Sequence, residues 1–458
     1  MIKKLSVREI LEVTGGEISN SDETGLCEGF STDSRTVRRG EFFIAIKGDK
    51  FDGHDFILQA VSRGASGVIA GYRAAGVEKA KVGNYIVVPD PLQAMGKLAS
   101  YLRKKASIPV ICVTGTNGKT SVKELTSQLL SLKYKVLKSQ KSFNNIIGLS
   151  LTLFSLEKEH EIAVLEIGTN HPGEILSLGE IASPDTAVIT NVGNGHLEFF
   201  GDRRGVFREK VSILKTLSAK GSAFLNGDDE LLAAVPKKEK LKFFGTSLLC
   251  DLRVSEIVQE GTGHAFSLNG MRFYVPFEGE HNVYNAAAAV SVALHYGVDP
   301  EKIKMKLCEI SLPGMRLEKV VLGGVTFLND SYNANPDSFE SALRVLNGTE
   351  TAGKKWVVAG DMLELGERSS ALHGNVGKSI AGKKIDFLVT VGDLSARIAE
   401  GAVTGGMDKK NVYIAPDHES AARILKKTAC PRDIVLVKGS RGSRMEEVIK
   451  CFTTCCSS

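Results

Sequence analysis

The chain has 458 residues, 43% of them hydrophobic and 24% charged, with a formal net charge of +5. That length divides naturally into two or three domains, and the composition excludes a disordered or fibrous protein. Lys and Arg are spread along the whole chain without a basic block, which argues against a nucleic-acid partner, and the mild positive balance suits small anionic ligands.

The first residues, Met1 to Val13, are charged and lack the apolar core of a signal peptide. No apolar run reaches the ~18 residues of a membrane span. A cytoplasmic protein with reduced thiols is therefore expected. Cys27, Cys112, Cys250, Cys308 and Cys430 are isolated in sequence. Cys451, Cys455 and Cys456 cluster at the end without a Cys-x-x-Cys pair, and read as thiols on a frayed tail rather than metal ligands.

In chain order, residues 1–105 hold short strands, Glu41–Ile46 and Tyr85–Val88, with helical stretches between them. Arg103–Pro109 reads as a linker. Residues 106–312 then alternate apolar strands with helices: Val110–Val113 strand, Lys119–Leu132 helix, Ile162–Ile167 and Thr186–Ile189 strands, Gly205–Leu217 helix and an alanine-rich helix Asn282–His295. Pro313-Gly314 breaks the chain. Residues 313–458 alternate again, with strands at Trp356–Ala359, Phe387–Val391 and Ile434–Val437. The pattern predicts an α/β protein of three domains. The central one has a mostly parallel sheet covered on both faces, a smaller α/β domain precedes it, and a Rossmann-like domain follows.

The strongest local motif is Thr114-Gly115-Thr116-Asn117-Gly118-Lys119-Thr120, between an apolar strand and a helix. This is the context of a phosphate-binding loop. The glycines let backbone N–H groups close around phosphate oxygens, and the helix N-terminus favours negative charge. Lys119 would reach the outer phosphates and the Thr120 hydroxyl would bind magnesium. Val113 stands where the common pattern has its first glycine, so the loop is a shortened variant. A nucleotide site also needs an acid at the end of a neighbouring strand, and Glu166 ends the strand after Ile162.

Further segments are unusually polar for loops: Phe143-Asn144-Asn145, Glu166 to His171, Asn191 to Glu198, and Gly279 to Asn285. Together with the phosphate loop this ordered set resembles the Mur ligase family, over essentially the whole chain. The resemblance implies an ATP-dependent ligase that activates a carboxylate as an acyl phosphate and joins it to an amine. Thr32-Asp33-Ser34-Arg35 with Phe51-Asp52-Gly53-His54 resembles the family's UDP-sugar domain. Asn329 to Ser338 and Gly360 to Gly366 resemble the members that act last. The implied substrates are UDP-N-acetylmuramoyl-tripeptide, with lysine or diaminopimelate as its third residue, and D-alanyl-D-alanine. The alternatives are the member that adds the third amino acid, and a non-catalytic nucleotide-binding homologue.

Residue roles follow from the same resemblance. ATP would lie against Gly115, Thr116, Asn117, Gly118, Lys119 and Thr120, with His281 and Asn282 beside adenine. Arg316 would reach the phosphates and Asp330 the ribose. Thr120 and Glu166 would hold one magnesium ion, and His196 would help hold a second. Lys210 matches a position that is often carbamylated in the family; read from the residues alone it is a solvated helix lysine. Asp33, Ser34, Arg35, Lys47 and His54 are implied at the uridine nucleotide. Asn144, Asn145, Asn170 and His171 are implied at the peptide end of that substrate, and Asn333, Asn335, Pro336 and Asp337 near the dipeptide. Monomers are common among relatives, so a monomer is expected. The segment Lys438-Gly439-Ser440-Arg441 also resembles a family segment, without a role.

Overall fold

The computed structural model describes residues 4–18, 25–74, 83–140 and 142–454. Three large sheets organise the chain, beside a two-stranded pairing of Leu5–Ser6 with Leu26–Cys27. The first has strand order Glu17–Ile18, Asn84–Val87, Gly67–Ala70, Glu41–Ile44, Gly29–Ser31, and only its Glu17–Ile18 edge is antiparallel.

The second sheet has nine strands, and its parallel part carries the site. Val110–Thr114 lies third from one edge, between Ile162–Glu166 and Thr186–Ile189. All three strands are buried along their full length, as strands covered on both faces must be. Beyond Leu241–Gly245 the sheet continues into Leu252–Glu260, Gly263–Leu268 and Met271–Val275, of which the last two pair antiparallel. The third sheet runs Glu318–Leu322, Val325–Asp330, Ile434–Lys438, Lys355–Gly360, Phe387–Val391, Val412–Ala415, with its first pair antiparallel and the rest parallel.

The first and second sheets share one apolar core. Ile44, Ile69 and Ile86 of the first sheet belong to the same buried cluster as Cys112, Leu149 and Leu165. The rings of Phe30 and Phe154 meet across this boundary with centroids 4.7 Å apart. The helix Pro91–Ala106 bridges the two units. Asp90 caps it by accepting from the N–H groups of Leu92 and Gln93, and Pro91 supplies the helical φ at its first position. Arg103, which the sequence places in a linker, lies in the last turn of this helix. Its side chain is 9% exposed and donates to the carbonyls of Ala182 and Ser183 and to Asp185. The apolar face of residues 94–102 keeps the helix going past the point where basic residues suggest a break. The third sheet, in contrast, has its own two cores, one on each face.

Cys451 departs from expectation as well. It sits half-buried in the helix Glu446–Thr454 against a third-domain core, because the apolar spacing of Val448, Ile449 and Phe452 makes that helix amphipathic. Cys455 and Cys456 lie outside the described residues. No helix among the described residues is long and apolar enough to cross a membrane.

Candidate active site

The phosphate loop leaves the buried strand Val110–Thr114 and enters the helix Lys119–Leu130. Gly115 has φ 140° and Gly118 φ 82°, conformations that favour glycine. Space is equally short: a Cβ on Gly115 would lie 2.0 Å from Thr190 Oγ1, and one on Gly118 would lie 2.4 Å from Asn285 Oδ1. Asn191 braces the loop, its Oδ1 accepting from the Asn117 N–H over 2.9 Å and its Nδ2 donating to the Asn117 carbonyl over 3.0 Å.

Lys119 folds over the loop, donating to the carbonyls of Gly115 and Thr116 at 2.9 and 3.0 Å. Burial pulls its ammonium below the usual lysine range; Glu166 opposes this and Arg316 adds to it. The Thr120 hydroxyl donates to Glu166 Oε2 over 2.8 Å, and Asn144 Nδ2 donates to Glu166 Oε1 over 3.0 Å. Hydroxyl and carboxylate oxygens side by side are ligands for a hard cation such as magnesium. Among the described residues no group of three or more His, Cys, Asp and Glu forms a metal cage. A magnesium ion that takes one or two protein oxygens and completes its shell with phosphates and water needs none.

A cavity of about 930 Å³ opens over this loop between the second and third domains. Thr120, Glu166, His196 and Asn282 line it from one side, Arg316 and Asp330 from the other. Arg316 lies 4.3 Å from the centre of the Tyr332 ring, and its buried Nε has no hydrogen-bond partner. Asp330 accepts from the Leu317 N–H at 3.2 Å and pairs with Lys438. His281 begins the helix His281–His295, and burial brings its imidazole down to about 4; Asp330 opposes this, while Lys438 adds to it.

The two sides also touch. Asn335 and Asn117 exchange side-chain hydrogen bonds. Asp337 accepts from the backbone and side-chain N–H groups of Asn194. His196, at φ 54°, places Nδ1 2.6 Å from Glu364 Oε2, and this ring holds the Glu364 carboxyl below its usual range. Asn333, Asn335 and Asp337 all line the cavity, and the last two are engaged by the second domain. Pro336 opens the helix Pro336–Gly348, which Asn335 caps.

Most of the other sequence candidates sit elsewhere. Lys210, on the helix Arg203–Val211, is 1% exposed and does not line the cavity. Burial, and then the charge of Lys119, hold its amine well below the usual lysine range against the opposing charges of Glu209, Glu174 and Glu166. Asn170 lines the cavity. Asn145 caps the helix Ile146–Phe154, and His171 is exposed beside Phe199, with ring centroids 4.4 Å apart. The first-domain set is apart from the cavity. Asp33 holds Arg35 through two contacts of 2.9 and 2.8 Å, Ser34 donates to Gln59, and Lys47 is exposed. His54 is buried between Asp52, the Gly71 N–H and the stacked ring of Tyr72. Glu364 and Lys438 had no role from sequence; both lie in segments noted only for their family resemblance, and only the fold supplies their partners.

A phosphate loop with a strand-end acid, roofed by an arginine and an acid from a separate α/β unit, defines a nucleotide-dependent enzyme whose site lies between domains. The chain belongs to the Mur ligase family. Residues 27–103 match the family's catalytic domain model, 113–293 its middle domain and 315–441 its glutamate ligase domain. The UDP-N-acetylmuramoyl-tripeptide–D-alanyl-D-alanine ligase of Bacillus subtilis is 36% identical over 98% of both chains. The enzyme of that name from Escherichia coli is 31% identical over 97% of this chain and 98% of its own. A crystal structure of MurF from Acinetobacter baumannii superposes with a TM-score of 0.88 at 30% identity, over 98% of both chains. MurF from Thermotoga maritima in complex with ADP gives a TM-score of 0.82 at 31% identity, covering 93% of this chain and 97% of that one.

Proposed function

We propose that this protein joins D-alanyl-D-alanine to UDP-N-acetylmuramoyl-tripeptide, driven by ATP. The choice of substrates rests on likeness to ligases of that name along nearly the entire chain, 36% identical in the Bacillus subtilis case. The geometry supports the reaction type. One cavity collects a phosphate loop, a carboxylate beside a hydroxyl, and cationic groups from both domains.

A carboxylate is a poor electrophile, so the tripeptide carboxylate first attacks the γ-phosphorus of ATP and ADP departs. The dipeptide amine then attacks the acyl phosphate, phosphate leaves, and the amine gives up its proton as the amide forms. Carboxylate and phosphates repel one another, and Lys119 and Arg316 offset that repulsion. Magnesium, held by Thr120 and Glu166 with His196 at a second ion, would neutralise phosphate charge. Burial lowers the pKa of the Lys210 amine, and a carbamate formed there with CO2 would place an anion where lysine otherwise carries its amine. Asp33, Ser34, Arg35, Lys47 and His54 would hold the uridine end. Asn144, Asn145, Asn170 and His171 would face the peptide, and Asn333, Asn335 and Asp337 the dipeptide. The protein would act as a cytoplasmic monomer.

The test is phosphate release from Mg-ATP with and without each substrate, with product mass recorded. Release that requires both, with a pentapeptide product, is expected. Release independent of both would overturn the reading. Product formed from UDP-N-acetylmuramoyl-dipeptide with free lysine or diaminopimelate would reassign the protein to the preceding step.

A further inference from the structure

Lys438 ends the strand Ile434–Lys438 and is 2% exposed. Burying an ammonium costs several kcal/mol unless it is paired and hydrogen-bonded. Its Nζ has two partners: the Asp330 carboxylate and, at 3.1 Å, the carbonyl of Asn333. Asp330 and Lys438 are register neighbours on adjacent parallel strands, so the pairing follows from the sheet itself. The second Asp330 oxygen accepts from the Leu317 N–H at 3.2 Å. Both oxygens are thus fixed from the protein side, and a carboxylate with about four lone-pair sites keeps others for a ligand. Asp330 is 17% exposed at its side chain and lines the cavity.

We propose that Lys438 is a positioning residue: the buried cation locks the Asp330 carboxylate at one angle to the cavity and so sets how strongly the protein reads the ribose hydroxyls of its nucleotide. This rests on the reading of Asp330 as the ribose contact. A surface lysine would add only charge to the site. This one is anchored at two points, and its second anchor, the Asn333 carbonyl, fixes where Nζ sits. Lys438 also lines the cavity, and in this role it acts through Asp330.

The experiment compares kcat/KM for ATP with that for 2′-deoxy-ATP and 3′-deoxy-ATP in the full-length protein with both substrates. The ratio within one preparation is independent of how much protein is active. The wild type is expected to favour ATP over at least one analogue by about tenfold or more, as when a charged hydrogen-bond partner is left unmatched. Lys438→Met should bring that ratio to within about threefold of unity while leaving turnover measurable. Lys438→Gln serves as a second substitution should the methionine variant fail to fold. Asp330→Asn should lower the ratio too, and the double variant should lower it no further than Asp330→Asn alone. A wild type indifferent to both analogues would remove the ribose reading on which the proposal stands. Discrimination retained in both Lys438 variants but lost in Asp330→Asn would keep the ribose contact and overturn the role of Lys438.

Discussion

Asn117 in the phosphate loop and Asn335 at the start of a third-domain helix hold each other through reciprocal amide contacts. Asn335 Nδ2 donates to Asn117 Oδ1 over 2.9 Å, and Asn117 Nδ2 donates to Asn335 Oδ1 over 3.3 Å. The same Asn335 oxygen accepts from the Ser338 N–H at 2.9 Å and caps the helix. One side chain therefore closes the cavity and starts the element that closes it. Asn335→Ala should lose about 1–2 kcal/mol from the missing cap. Asn335→Asp keeps the cap but sets a carboxylate against Asn117 Oδ1. Its melting temperature should stay near that of the wild type while kcat/KM for ATP falls roughly fivefold to tenfold. Thermal melts and steady-state rates of the two variants separate cap from closure.

Gly118→Ala tests the loop itself. The new methyl would meet Asn285 Oδ1 at 2.4 Å on a backbone of φ 82°. Strain of about 1–3 kcal/mol is expected at such a site. Calorimetric titration with ADP should show affinity reduced by about tenfold or more.

The buried imidazole of His281 sets a pH dependence. Its folded value of about 4 lies below the ordinary 6.5. Between these values the unfolded chain binds the proton that the folded protein refuses, so stability falls as the pH drops from 6.5 toward 4, by at most about 1.4 kcal/mol per pH unit. Above 6.5 the contribution is fully present. Denaturant unfolding at several pH values should give a shallower acid slope for His281→Gln than for the wild type.

Glu364→Ala removes the carboxylate 2.6 Å from His196 Nδ1 but leaves the Glu364 carbonyl, which accepts from the Glu198 N–H at 3.1 Å. The pair is part-exposed, so global stability should change by less than about 1 kcal/mol. Turnover should drop by about tenfold, since His196 faces the cavity and loses its neighbour in the other domain. Rates and melts of Glu364→Ala and Glu364→Gln, measured side by side, check this.

Buried parallel strands were the most legible part of the fold. Thr186–Ile189 and Phe387–Val391 have the bounds their sequence runs predict, because a strand covered on both faces carries few polar positions to interrupt the run. The strands from Leu252 to Val275 went unread. Leu252–Glu260 is largely exposed and polar, and pairs with neighbours through backbone rather than apolar pattern. The phosphate loop was legible because its chemistry is contiguous. Lys438 was not, since its partner Asp330 lies 108 residues away and only strand register joins them. Glu364 and His196 meet for a similar reason, across a boundary that no local motif marks.

The seating of Arg103 against Ala182, Ser183 and Asp185 has a further consequence. Sharing one core and this anchor, the first domain cannot shift relative to the phosphate loop without breaking buried contacts, whereas the third domain meets the loop through exchangeable polar pairs. If Asp33–Arg35 hold the uridine end as proposed, the span from them to Lys119 would act as a ruler. A substrate gripped by its nucleotide there would have its reach measured before any chemistry starts. A peptide arm one residue short would leave its carboxylate stranded, and an arm one residue long would overshoot. Selection by length needs no pocket for the terminal side chain, so chains differing only in that side chain would pass the same gauge.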